Sequence, residues 1–113
     1  MKSNRTEYQH KDLASGRWQA LSFAEQMGNI GSEVSRMVRW RSKDKEIFEH
    51  ARMRALELTD LTIADARWNG RHKELERVRE ALSGMTTEKT ETIPLESIDE
   101  YFLAFARLAR KNV

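Results

Sequence analysis

Cysteine is absent from this chain of 113 residues, which excludes a disulfide framework, a thiolate metal site and a catalytic thiol, and fits a reducing cytoplasm. Proline occurs once and glycine five times. With so few turn-forming residues, and with Ala, Leu, Glu, Arg and Met abundant, the chain is expected to be all-helical. No apolar run approaches the roughly 20 residues of a membrane span. The opening "MKSNRTEYQHKDLASGRW" also lacks the apolar stretch of a signal peptide. A cytoplasmic protein without membrane contact is therefore expected. A dominant charge is missing too, since 20 Lys and Arg face 18 Asp and Glu for a net of +2.

Distribution says more than the total. From Arg36 to Arg54, seven basic residues (Arg36, Arg39, Arg41, Lys43, Lys45, Arg52 and Arg54) face three acids (Asp44, Glu46 and Glu49), a net of +4. From Ser83 to Glu100, Lys89 alone faces five acids (Glu88, Glu91, Glu96, Asp99 and Glu100), a net of −4. The first segment is a candidate electropositive surface, and the second repels polyanions.

Apolar spacing divides residues 17–113 into four helices, and the aperiodic residues 1–16 read as a mobile arm. The first helix spans Trp18 to Arg41, with Trp18, Leu21, Ile30, Val34, Met37 and Val38 recurring at three- and four-residue steps. A second starts near Asp44, a potential N-cap, and buries Ile47, Phe48, Ala51, Ala55, Leu58 and Thr62. It ends in "RWNGRH", where Asn69 and Gly70 tolerate the left-handed conformation common at helix C-termini. The third runs from Arg71 to Leu82. A polar loop with Pro94 follows, and "SIDE", Ser97 to Glu100, has the capping-box pattern expected to open the fourth. An antiparallel four-helix bundle in one domain is the economical arrangement.

Gly28 and Gly31 interrupt the first helix at a cost of about 0.5–1 kcal/mol each relative to alanine. Ala20, Ala24, Gly28, Gly31 and Ser35 form a line of small side chains, which suits a close helix crossing. The same line is a candidate docking groove for a second copy or another partner. The rival reading of "GNIG" as a GxxG clamp on nucleic-acid backbone requires the strands of a KH fold, which the sequence does not offer.

Arg67 and His72 have the R-x4-H spacing of HEPN ribonucleases, in which a histidine moves the 2′-hydroxyl proton while an arginine holds the phosphate. Here Trp68 follows the arginine, where a polar residue is usual. A helix terminus with solvated charges is the plain alternative. His50 lies four residues after Glu46, but one imidazole and one carboxylate make no metal site, so neither metal nor cofactor is expected. Asp60 and Asp65, in an otherwise apolar stretch, must face solvent or pair with arginine. Trp18 and Trp40, 22 residues apart on one helix, would point in similar directions, and Trp40 lies among Arg36, Arg39 and Arg41.

The blocks "LSFAEQMGNIGSEVSRMVRW", "RALELTDLTIADARWNGRHKEL" and "YFLAFARLAR" resemble a family of small prokaryotic helical-bundle proteins. The resemblance implies a fold and no activity. In general shape the chain is also similar to four-helix-bundle accessory proteins of the ribosomal S23 type and to the accessory variability proteins of diversity-generating retroelements. That likeness implies a basic, oligomeric helper of nucleic-acid machinery. The leading expectation is thus a non-enzymatic accessory protein that binds RNA or a nucleic-acid-handling protein, as a possible homo-oligomer, through Arg36, Arg39, Trp40, Arg41, Lys43, Lys45, Arg52 and Arg54. The alternatives are a metal-independent HEPN-like ribonuclease using Arg67 and His72, and a structural adaptor using Ala24, Gly28, Gly31 and Ser35.

Overall fold

The structure, a computed structural model, describes residues 16–111. Apart from Gly16, the expected N-terminal arm lies outside the described residues. Four α-helices follow one another: α1 (Phe23–Trp40), α2 (Lys45–Ile63), α3 (His72–Ser83) and α4 (Leu95–Lys111). Among the described residues there is no strand.

The first helix is shorter than the sequence pattern suggests. Trp18–Ala20 form a 3-10 turn, Leu21 is extended, and Ser22 opens α1 with a capping box. The Ser22 hydroxyl accepts from the Glu25 N–H at 3.1 Å, while the Glu25 carboxylate accepts from the Ser22 N–H at 2.8 Å. Because the chain breaks at Leu21, Trp18 is not on the helix that carries Trp40, and helical spacing does not relate the two. Met27, Ile30, Val34 and Met37 form the buried stripe of α1. Asp44 caps α2 as expected, accepting from the Glu46 and Ile47 N–H groups. Phe48, Ala51, Ala55, Leu58 and Thr62 lie buried along α2 at three- and four-residue steps.

Asn69 and Gly70 do not take left-handed backbone, since Gly16 is the only positive-φ residue among those described. Instead α2 stops at Ile63, and Ala66–Arg71 form a 3-10 turn capped by the Asp65 carboxylate. The expected capping box of α4 is also displaced. Ser97 and Glu100 lie inside the helix, which starts at Leu95 right after Pro94, whose carbonyl accepts from Ser97 and Ile98. Proline suits this position because it has no N–H to leave unsatisfied.

The helices run antiparallel. Down α1, Gly28, Gly31 and Ser35 meet Ala106, Phe102 and Asp99 in turn up α4. Across α2 and α3, Arg52 reaches Ser83 and Asp60 reaches Arg79. Helix α1 is central, packing on both α2 and α4, and α3 packs on α2. An edge-to-face chain of rings, Trp68, Phe23, Phe105 and Tyr101, with successive centroids 5.1–5.6 Å apart, ties the α2–α3 corner to α4. Tyr101 donates its hydroxyl to Glu74 on α3. Burial, together with that bond, pushes the phenol well above its ordinary pKa.

Candidate functional site

The residues of the basic segment divide into two sets. Arg41 faces inward at 4% exposure. Its guanidinium grips the Glu91 carboxylate with two nitrogens, at 2.8 and 2.6 Å, and donates to the carbonyls of Thr86 and Glu88. Those bonds hold the Glu91 carboxyl at a pKa of about 2 against the opposing effect of burial. Arg52 is drawn in as well, bonded to Glu49 and to the Ser83 carbonyl at the end of α3. Arg54 is half-buried, with its Nε shielded from solvent and unbonded. Arg41 and Arg52 thus spend their guanidinium groups within the fold, which leaves them out of the exposed cationic set. The sequence held a signal for Arg41: it lies four residues after Met37 and seven after Val34, in phase with the buried stripe.

Arg36, Arg39, Lys43 and Lys45 are exposed, and none forms an ion pair among the described residues. Trp40, partly exposed, falls among them along the chain, with the Lys43 Nζ 5.9 Å from the centre of its ring. Nearby acids are partly offset. Glu49 is held by Arg52, Glu91 by Arg41, and Asp44 sits at the positive end of the α2 dipole as its cap. Glu46 stays exposed beside this corner. The acidic segment is not remote either, since Glu91 and Asp99 dock on Arg41 and on Ser35, the latter at 2.5 Å. Charge that is segregated along the chain is therefore brought together in space.

Arg67 and His72 both sit at the α2–α3 corner, each held by local groups. Arg67 pairs with Asp65 at 2.7 Å, donates to the Leu21 carbonyl at 2.8 Å and stacks over Trp68. His72 Nε2 donates to the carbonyl of Ile63, the last residue of α2, at 3.0 Å. Asp65, 5% exposed, takes Arg67 as the partner that its apolar surroundings demand. The hydrogen bonds from Arg67, with a further one from Gln26, hold the Asp65 carboxyl at about 2. Gln26 is fully buried and completes a network that sequence reading missed. Its amide donates to the Trp18 carbonyl and to Asp65 and accepts from Trp68 Nε1, while Trp18 Nε1 donates to Thr62. Each buried polar group finds a partner there, so the corner is locked in one arrangement.

The small-residue line faces the chain's own α4. A methyl group on Gly31 would stand 2.7 Å from the Phe102 Cβ, and one on Gly28 would stand 3.4 Å from the Ala106 Cα. Ser35 is spent on Asp99, and Ala24 is half-buried. Gly28, Gly31 and Ser35 thus meet the chain's own α4, and a shallow open groove remains alongside, lined by Gly28, Ser32 and Ala106. A different groove, about 490 Å³ in volume, opens between α3 and residues 91–93, lined by Ala81, Met85 and Ile93 with Arg77 and Glu80 at its edge. Among the described residues no three His, Asp or Glu side chains gather as metal ligands, and no helix is long and apolar enough to cross a membrane. No protein family, curated protein or solved structure matches this chain.

Proposed function

We propose that the protein is a non-enzymatic helical-bundle accessory module that binds RNA through the corner where α1 turns into α2. The observation that supports this reading is the set of four exposed cations, Arg36, Arg39, Lys43 and Lys45, gathered at one end of α1 without acidic partners. Cations left unpaired at a surface are the groups that replace phosphate counterions, and the release of those counterions supplies sequence-independent affinity. A titration of labelled RNA at several salt concentrations tests the reading. Four phosphate contacts give a slope of log K against log salt of about −3 for a single strand. The RNA should come back intact. Salt-insensitive binding, or none, rejects the reading, and RNA cut in metal-free buffer returns attention to Arg67 and His72.

The apolar groove beside Ile93, which is 53% exposed, favours a second reading as an adaptor for a protein partner. Under that reading Ile93→Asp abolishes partner capture and leaves RNA titrations unchanged.

A further inference from the structure

The three tryptophans have different surroundings. Trp18 is fully buried and donates to Thr62. Trp68 packs against the core, donates to Gln26 and lies under the Arg67 guanidinium, 4.4 Å away. Trp40 stands apart from both. It is partly exposed, it is not among the side chains packed on the core, and its indole N–H has no hydrogen-bond partner among the described residues. An indole with part of its ring at the surface and its N–H unbonded offers a face to a ligand. What surrounds it is positive charge: Arg36 and Arg39 on the preceding turn of α1, and Lys43 over the ring from the turn that follows.

A flat aromatic face among phosphate-binding cations matches one chemical class of ligand. In a duplex the faces of the bases are covered by their neighbours, so a surface indole can reach only the backbone. In a single strand an unstacked base can lie on the ring while the flanking phosphates meet the cations. We infer that Trp40 is a base-stacking platform and that this corner selects single-stranded over double-stranded polynucleotide. The inference rests on the RNA-binding reading above and narrows its ligand. Stacking on a ring is tolerant of base identity, so a preference for strandedness without a preference for sequence is expected.

The test uses the full chain, an unstructured labelled RNA and a blunt duplex of equal length, with fluorescence anisotropy as the readout. The parent should bind the single strand more tightly than the duplex. Trp40→Ala should weaken single-strand binding about 5- to 100-fold, while duplex affinity and the salt slope stay unchanged. Trp40→Phe keeps a ring and should retain part of the lost affinity. Because Trp18 is buried and Trp68 engaged, the parent's intrinsic fluorescence should be quenched by the single strand, and Trp40→Phe should lose that quenching while it still binds. Trp40→Phe keeps most of the packing around the ring and should melt within a few degrees of the parent, so its lost quenching reads the contact itself. Equal affinity for the two polymers, or single-strand binding untouched in Trp40→Ala, overturns the inference and leaves salt-dependent binding standing. Absence of salt-dependent binding to either polymer overturns the RNA reading and this one together.

Discussion

At Gly31 a hydrogen atom in place of a methyl group lets α1 and α4 approach closely, because an added Cβ would overlap Phe102. Gly31→Ala is expected to cost about 1–3 kcal/mol through overpacking. At Gly28 the same change meets only ordinary contact with Ala106, and the helix gains about 0.5–1 kcal/mol of propensity. Gly28→Ala should therefore be neutral or stabilising, and urea denaturation of the two variants separates the cases. Asp65 and Glu91 carry a second prediction. Both have folded pKa values of about 2, below the ordinary values of about 4 that they regain on unfolding. Each thus stabilises the fold above about pH 4, and that contribution is lost as the pH falls toward 2. Asp65→Asn and Glu91→Gln should each flatten the acid limb of stability against pH; an unchanged limb in both variants contradicts the pairing described. The glycine line was legible in the sequence because steric size needs no knowledge of the partner. The choice of Arg67 by Asp65 was not legible, since two arginines and a histidine follow Asp65 within seven residues and only the 3-10 turn selects among them.

Among the elements, the four helices were legible from three- and four-residue periodicity, whereas their ends were not. "SFAE" and "SIDE" both offer serine followed by glutamate at the third position, and only tertiary context makes the first a capping box and places the second inside α4. Ser22→Ala should cost about 1 kcal/mol, while Ser97→Ala should change stability by less than about 0.5 kcal/mol. A result in which both cost the same contradicts this assignment. The connection between α3 and α4 has little regular structure, and Arg41 holds it by bonding two of its carbonyls and Glu91. Breaking a buried pair by removing one partner leaves the other uncompensated, so Arg41→Ala is expected to cost about 3–5 kcal/mol. Hydrogen exchange should show the loss of order over residues 86–94. Arg41→Lys should not restore it, because an ammonium group cannot match the carboxylate with a fork of donors.

For the whole molecule, the sequence reading placed a positive region and a negative region apart, and folding sets them side by side through Arg41–Glu91 and Ser35–Asp99. What survives as accessible positive charge is narrower than the segment from Arg36 to Arg54. It is the corner of Arg36, Arg39, Lys43 and Lys45 around Trp40. Net charge hid that narrowing because it counts residues without regard to which face they occupy; only the phase of Arg41 with Met37 and Val34 signalled it. It also separates stability from binding: Arg41 serves the fold, and its neighbours serve the proposed ligand. The most direct measurement is RNA affinity at low and near-physiological salt for the parent, for Arg36→Glu/Arg39→Glu, and for Arg107→Glu/Arg110→Glu. The last pair carries equally exposed cations, on the final turns of α4. The α1 reversal should abolish binding at both salts with an unchanged melting temperature, and the α4 reversal should leave most of the affinity in place. Equal losses from the two reversals, or full affinity in the α1 variant, contradict the assignment of this corner.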